Sequence, residues 1–121
     1  MANKQAVKML RAQDVDDFNK WVKQPRKEGK KAIDLDDQNL GGLKLRGVDL
    51  QDAHLNGSNL RGTDLKGANL ENARLRQTDL RKANLSGANL NGADLSKANL
   101  KGADLKNAKL KGAKLKNATG I

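Results

Sequence analysis

From Leu35 to Leu115 every fifth residue is leucine, seventeen in all without a gap. Two positions before each leucine stands a mostly small residue, and from Ala83 to Ala118 it is always alanine. The residue just before leucine is Asp or Asn in twelve of the seventeen units. Two positions after it comes Gly, Asn or Asp in fourteen. A period of five is neither the 3.6 of a helix nor the 2 of a strand. The small residue and the leucine, two apart, fall on one side of an extended segment, and the other three positions face outward. Gly, Asn and Asp tolerate positive φ and suit a tight turn. Each unit therefore predicts a short extended piece closed by a turn, with an apolar inner side.

Residues 1–32 follow another pattern. "DVDDFNKWVKQP" predicts a helix. Asp14 caps it, with Asp17 three residues on as in a capping box. Val15, Phe18, Trp21 and Val22 share one face, and Pro25 ends the helix. A second short helix is expected within residues 3–12, where Val7 and Leu10 share a face. The run "RKEGKK" (26–31) reads as a solvated connector. The chain thus divides into a helical cap and basic connector (1–32) and a repeat region (33–121).

Units written A-(D/N)-L-x-x, as in "ANLSGANLNGADLSKANLKGADL" (83–105), closely resemble the pentapeptide repeat family over about residues 33–119. The resemblance implies a mainly β fold, a right-handed quadrilateral β-helix in which four units make a coil of twenty residues. The segment "VDDFNKW" also looks like the short helical prefix ahead of the repeats in many bacterial members. The charges test the square coil independently. Asp stands just before leucine at 34, 49, 64, 79 and 94, each fifteen apart. A three-sided coil would stack all five, at roughly 0.2–1 kcal/mol per like-charge contact. A four-sided coil instead sets Asp34 beside His54, Lys44 beside Asp64, Arg74 beside Asp94, and Asp94 beside Lys114. No carboxylate in that column then faces another.

Four sides give about four coils and a rod roughly 20 Å tall. The inner small positions of the first coil are Ile33, Gln38, Leu43 and Val48, larger than elsewhere. Solenoid ends need caps, so Phe18, Trp21 and Val22 are expected to cover this coil. At the other end Gly120 replaces the next leucine, which is expected to leave Leu100, Leu105, Leu110 and Leu115 partly open. Such an edge either joins end to end in a homodimer or is guarded by lysines. Lys101, Lys106, Lys111 and Lys116 put one cation on each side, and the guard is the favoured reading.

Composition changes this picture little. Hydrophobic residues at 36% and aromatics at 2% would ordinarily suggest disorder, but identical units can stack into a continuous core. There is no cysteine and a single histidine. No apolar run approaches the ~18 residues of a membrane span, and "MANKQAVKML" has no apolar signal core, which points to a cytoplasmic protein. His54 reads as a surface residue, and Asp34, Asp36 and Asp37 as surface charge rather than a cation site. No catalytic constellation, cofactor or metal site is expected.

The net charge of +10 raises the odds of acidic partners, although lysine also serves solubility. One outward column reads Gly41, Arg61, Arg81, Lys101, with Lys82 adjacent, and is the candidate stripe for an acidic partner. The leading expectation is a non-enzymatic scaffold that docks an unknown protein on its flat sides. The alternative is a binder of polyanions, nucleic acid or anionic membrane, through that stripe. The resemblance also brings in gyrase-directed DNA mimicry, which a basic rod without the family's loop insertions fits least.

Overall fold

A computed structural model describes residues 1–29 and 32–121. Two helices come first, α1 (Lys4–Arg11) and α2 (Val15–Lys27). Residues 34–119 form a stack of one-residue rungs. Fourteen isolated parallel bridges run from Asp34–His54 to Asn99–Thr119, each joining residues twenty apart. Twenty residues hold four units, so the tube has four sides. Side 1 carries Leu35, Leu55, Leu75, Leu95 and Leu115, and sides 2, 3 and 4 begin at Leu40, Leu45 and Leu50.

Two hydrogen bonds build every rung. A leucine N–H donates to the coil after it, as Leu35 does to the His54 carbonyl at 2.7 Å. The N–H just before the next leucine on that side donates back, as His54 does to the Ile33 carbonyl at 2.9 Å. At the corner the chain turns, and the N–H three residues on returns to the leucine carbonyl (Val48 to Leu45, 3.1 Å). The second corner residue has positive φ in every unit, as a type II turn requires. Gln77, Lys82 and Lys97 adopt φ of 57°, 59° and 61° without being Gly, Asn or Asp. That conformation costs such residues about 1–2 kcal/mol each.

Every leucine from Leu35 to Leu100 in the series is at most 1% exposed, and each contributes roughly 1.5–3 kcal/mol of burial. The small inner column lets the walls approach. Where it holds Ser58, Thr63 and Thr78, the buried hydroxyls donate to the Leu35, Leu40 and Leu75 carbonyls at 2.7–2.8 Å. Among the described residues no buried side-chain nitrogen or oxygen lacks a partner.

The helices lie over the first coil. Asn3 caps α1 by accepting the Ala6 N–H, and Asp14 caps α2 by accepting the Asp17 N–H, each at 3.0 Å. α1 buries Ala6 and Leu10, and α2 buries Phe18 and Val22. Trp21 is half-buried, its ring centre 5.7 Å from that of Phe18.

Pro25 does not end α2, which continues to Lys27 with the proline inside. Proline removes the N–H that would reach the Trp21 carbonyl and crowds that carbonyl, and contacts of the residues around it hold the turn beyond. The Arg26 guanidinium grips the Asp49 carboxylate at 2.6 and 3.0 Å and reaches the Gln51 carbonyl at 3.2 Å. Gln24 Nε2 donates to Glu28 Oε1 at 2.8 Å. Arg26 and Lys27 are therefore helical rather than connector. Lys30 and Lys31, the end of the expected connector, lie outside the described residues.

Candidate interaction surfaces

Three surfaces offer chemistry: the basic column on side 2 and the two ends of the tube. The column is assembled as the spacing predicts. The corner N–H of each coil reaches the column residue of the next: Gly42 to Arg61 and Gly62 to Arg81 at 2.9 Å, Lys82 to Lys101 at 3.0 Å. Arg61, Lys82 and Lys101 are exposed. Arg81 is not free. Its guanidinium folds onto Asp79, with Nε donating to Oδ1 at 2.9 Å and Nη2 to Oδ2 at 2.7 Å. The Arg81 side chain holds the Asp79 carboxyl below the ordinary carboxylate value, and Arg61 adds to the effect. Asp79 thus cancels one charge of the column. The signal was present in the chain, because residues two apart in an extended unit share a side.

At the N-terminal end, polar groups of the cap take the place of a preceding coil. The Asn3 N–H donates to the Asp34 carbonyl at 2.7 Å on side 1. Arg11 donates to the Asn39 carbonyl at 2.6 Å on side 2. Gln13 Oε1 accepts the Lys44 N–H at 2.8 Å on side 3. Asn19 accepts the Asp49 N–H at 2.8 Å and donates to the Gly47 carbonyl at 3.1 Å, where side 3 turns into side 4. The apolar pattern points to Phe18, Trp21 and Val22, but contains nothing that marks these polar residues. A cavity of about 30 Å³ under the end of α2, lined by Val22, Pro25, Arg26 and Ile33 among others, has room for about one water.

The C-terminal end differs. Leu105, Leu110 and Leu115 are half-buried there, as are Ala103, Ala108 and Ala113. Leu100, expected with them at the rim, is covered instead at 1% exposure. The reason is Thr119, which continues side 2 by one rung and accepts the Leu100 N–H at 2.8 Å.

The acids of the first coil serve the backbone. Asp34 accepts the Asp36 N–H at 3.0 Å, and Asp36 accepts the Asn56 N–H at 2.8 Å. The Asp36 N–H is the main reason the Asp34 carboxyl lies below its ordinary value. His54 bridges Asp34 and Arg74 on side 1. Among the described residues no group of His, Cys, Asp or Glu could hold a metal ion, and no helix is long and apolar enough to cross a membrane.

The square tube with leucine inside and Asx before most of the leucines is matched by the family model described as pentapeptide repeats, in eight copies over residues 44–81 and 83–119. The chain belongs to the pentapeptide repeat family. Its members form right-handed quadrilateral β-helices and are generally structural or interaction modules. Among solved structures, HetL from the cyanobacterium Nostoc sp. strain PCC 7120, a pentapeptide repeat protein involved in heterocyst differentiation regulation, is 44% identical with a TM-score of 0.69. The match covers 70% of this chain and 39% of HetL, so the chain spans about two fifths of that relative. Rfr23 from the cyanobacterium Cyanothece 51142 is 38% identical, covering 71% of this chain and 63% of that protein, with a TM-score of 0.46. QnrB1, a plasmid-mediated fluoroquinolone resistance protein, is 20% identical, covering 72% and 52%, with a TM-score of 0.44. No curated protein matches the chain in sequence.

Proposed function

We propose that this pentapeptide repeat tube is a non-enzymatic scaffold that works by docking another protein. The observation that carries the reading is the saturation of its frame. Every wall is bonded rung to rung at 2.7–3.0 Å, so outward side chains stand at fixed heights on a lattice set by the strand spacing of about 4.8 Å. Such a surface presents side chains already ordered, which lowers the entropic cost of association. HetL, a relative involved in heterocyst differentiation regulation, supports a regulatory role for such a scaffold.

Polyanion binding through Arg61, Arg81, Lys82 and Lys101 is the second reading. Side 2 favours it, because four basic residues stand there against one acid, Asp79. The Arg81–Asp79 pair weakens it. A DNA mimic would need the opposite sign of charge. Charge reversal on side 2 separates the two readings. Phosphate-driven binding through Arg61, Arg81, Lys82 and Lys101 falls steeply with salt and is lost on that reversal, whereas docking of a protein elsewhere on the tube survives it. Affinity capture from the native cell, with crosslinks mapped by mass spectrometry, should place a protein on the tube. Arbitrary duplex DNA bound at low salt, lost on charge reversal at Arg61, Arg81 and Lys101, with no protein contact mapped, would overturn the proposal.

A further inference from the structure

On the strength of the interaction-module reading, we infer that the C-terminal rim is the docking edge, and that its occupant is an acidic, strand-forming segment of a partner protein. The backbone argues first. One coil back, the N–H groups of Leu85, Leu90 and Leu95 donate to the Asp104, Lys109 and Lys114 carbonyls at 2.7–2.8 Å. The N–H groups of Leu105, Leu110 and Leu115 stand in the same place on the rim, and no group among the described residues accepts from them. The carbonyls of Ala83, Ala88 and Ala93 each accept a hydrogen bond at 2.9 Å from the coil that follows. Those of Ala103, Ala108 and Ala113, one coil on, accept none from the described residues. Three walls therefore present the alternating donors and acceptors that an added strand pairs with.

The side chains agree. Leu85, Leu90 and Leu95 are 0% exposed, while Leu105, Leu110 and Leu115 are half-open. A segment with an apolar residue at every fifth position, turning at each corner as the tube's own units do, would cover all three. Charge then selects the segment. Residues 33–96 hold eight basic and nine acidic side chains, but residues 97–121 hold seven lysines and one aspartate, a net +6. Lys106, Lys109, Lys111, Lys114 and Lys116 stand exposed around the three open walls. The fourth wall is already closed by Thr119. Beyond it Gly120 turns at φ 81° so tightly onto side 2 that an added Cβ would lie 2.3 Å from the Lys101 nitrogen.

The same facts reject other occupants. A second copy joined rim to rim sets +6 against +6, and joined rim to opposite end it meets α1 and α2 instead of an open coil. Nucleic acid answers the lysines but brings neither apolar side chains for the leucines nor alternating N–H and carbonyl groups.

The experiment selects a display library of random peptides of about twelve residues on the full chain. The selected pool should be rich in Asp and Glu, with apolar residues recurring at a spacing of five. Binding of its consensus should weaken roughly tenfold or more in a Lys109→Glu, Lys111→Glu, Lys114→Glu variant. It should be unchanged by Arg61→Glu with Arg81→Glu, and should slow amide exchange at Leu105, Leu110 and Leu115. An empty pool, a pool without acidic excess, binding that survives the rim reversal, or a rim-to-rim dimer in sedimentation overturns the inference. A natural protein partner crosslinked to a wall would overturn it too, and would leave the scaffold reading standing. Single-stranded DNA bound in preference to any peptide would overturn both.

Discussion

At the N-terminal end Phe18 and Val22 press onto the first coil with 0% and 1% exposure, and Asn3, Arg11, Gln13 and Asn19 satisfy its backbone. At the C-terminal end the last leucines are half-open and their N–H groups meet no acceptor among the described residues. Both ends are cut from the same unit. A solenoid end is left with two needs, apolar cover and partners for a row of N–H and carbonyl groups. Here the cap meets both needs at one end. At the other, no described residue meets either need, and the rim carries seven lysines against one aspartate.

Deleting residues 1–32 makes the two ends alike and should have the largest effect. The first coil then opens, head-to-tail stacking becomes available, and the protein should self-associate or precipitate. Sedimentation velocity reads this directly. A truncated chain that stays monomeric and melts with the full-length protein would end the comparison.

Single substitutions sharpen it. Phe18→Ala empties a fully buried site and should cost about 3–5 kcal/mol. Leu115→Ala removes a side chain that already meets water and should cost about 1 kcal/mol or less. Urea titrations of the two variants should differ by well over the fitting error, and equal midpoints would contradict the assignment of covered and open ends.

The polar part of the cap is smaller in effect. Asn19→Ala strands the Asp49 N–H and the Gly47 carbonyl, and should cost about 1–2 kcal/mol. Lys111→Ala on the rim should stay within about 0.5 kcal/mol of zero. Thermal melts of both variants test the contrast, which fails if the lysine matters more than the asparagine.

The smallest effect is in pH. Asp34, Asp64, Asp79 and Asp94 all lie below the ordinary aspartate value of 3.8. For Asp64 and Asp94, burial pushes upward, but hydrogen bonds from Arg46 and Ser96 respectively, with further contacts, outweigh it. Carboxyls lowered by folding add stability that is complete above 3.8 and disappears as pH falls through the lowered values. The melting temperature should be equal at pH 7 and 5 and lower at pH 3. A protein more stable at pH 3 than at pH 7 would show that these contacts contribute nothing.

The walls and the cap differ in how far they could be read from the chain. Leucine at every fifth position and Asx before it specify the inner side, the turn and, through the placement of Asp34, Asp49, Asp64, Asp79 and Asp94, the four-sided coil. Each of those signals is local and repeated, so it survives without knowledge of distant contacts. The basic column was equally legible as a spacing of twenty. Its partial neutralisation was present only as a spacing of two, and the folded chain is what shows the Arg81 guanidinium turned onto Asp79.

The amino-acid sequence by itself thus determined the tube, since a five-residue period repeated seventeen times makes one continuous apolar inner side and the spacing of the aspartates excludes three walls. Tertiary structure decided the ends. Arg26 reaches Asp49, Asn19 reaches Gly47 and Gln13 reaches Lys44 across 23 to 31 residues of chain. Those contacts carry α2 past Pro25 and close the first coil. They join an aperiodic segment to a periodic one, and no pattern within either could announce them.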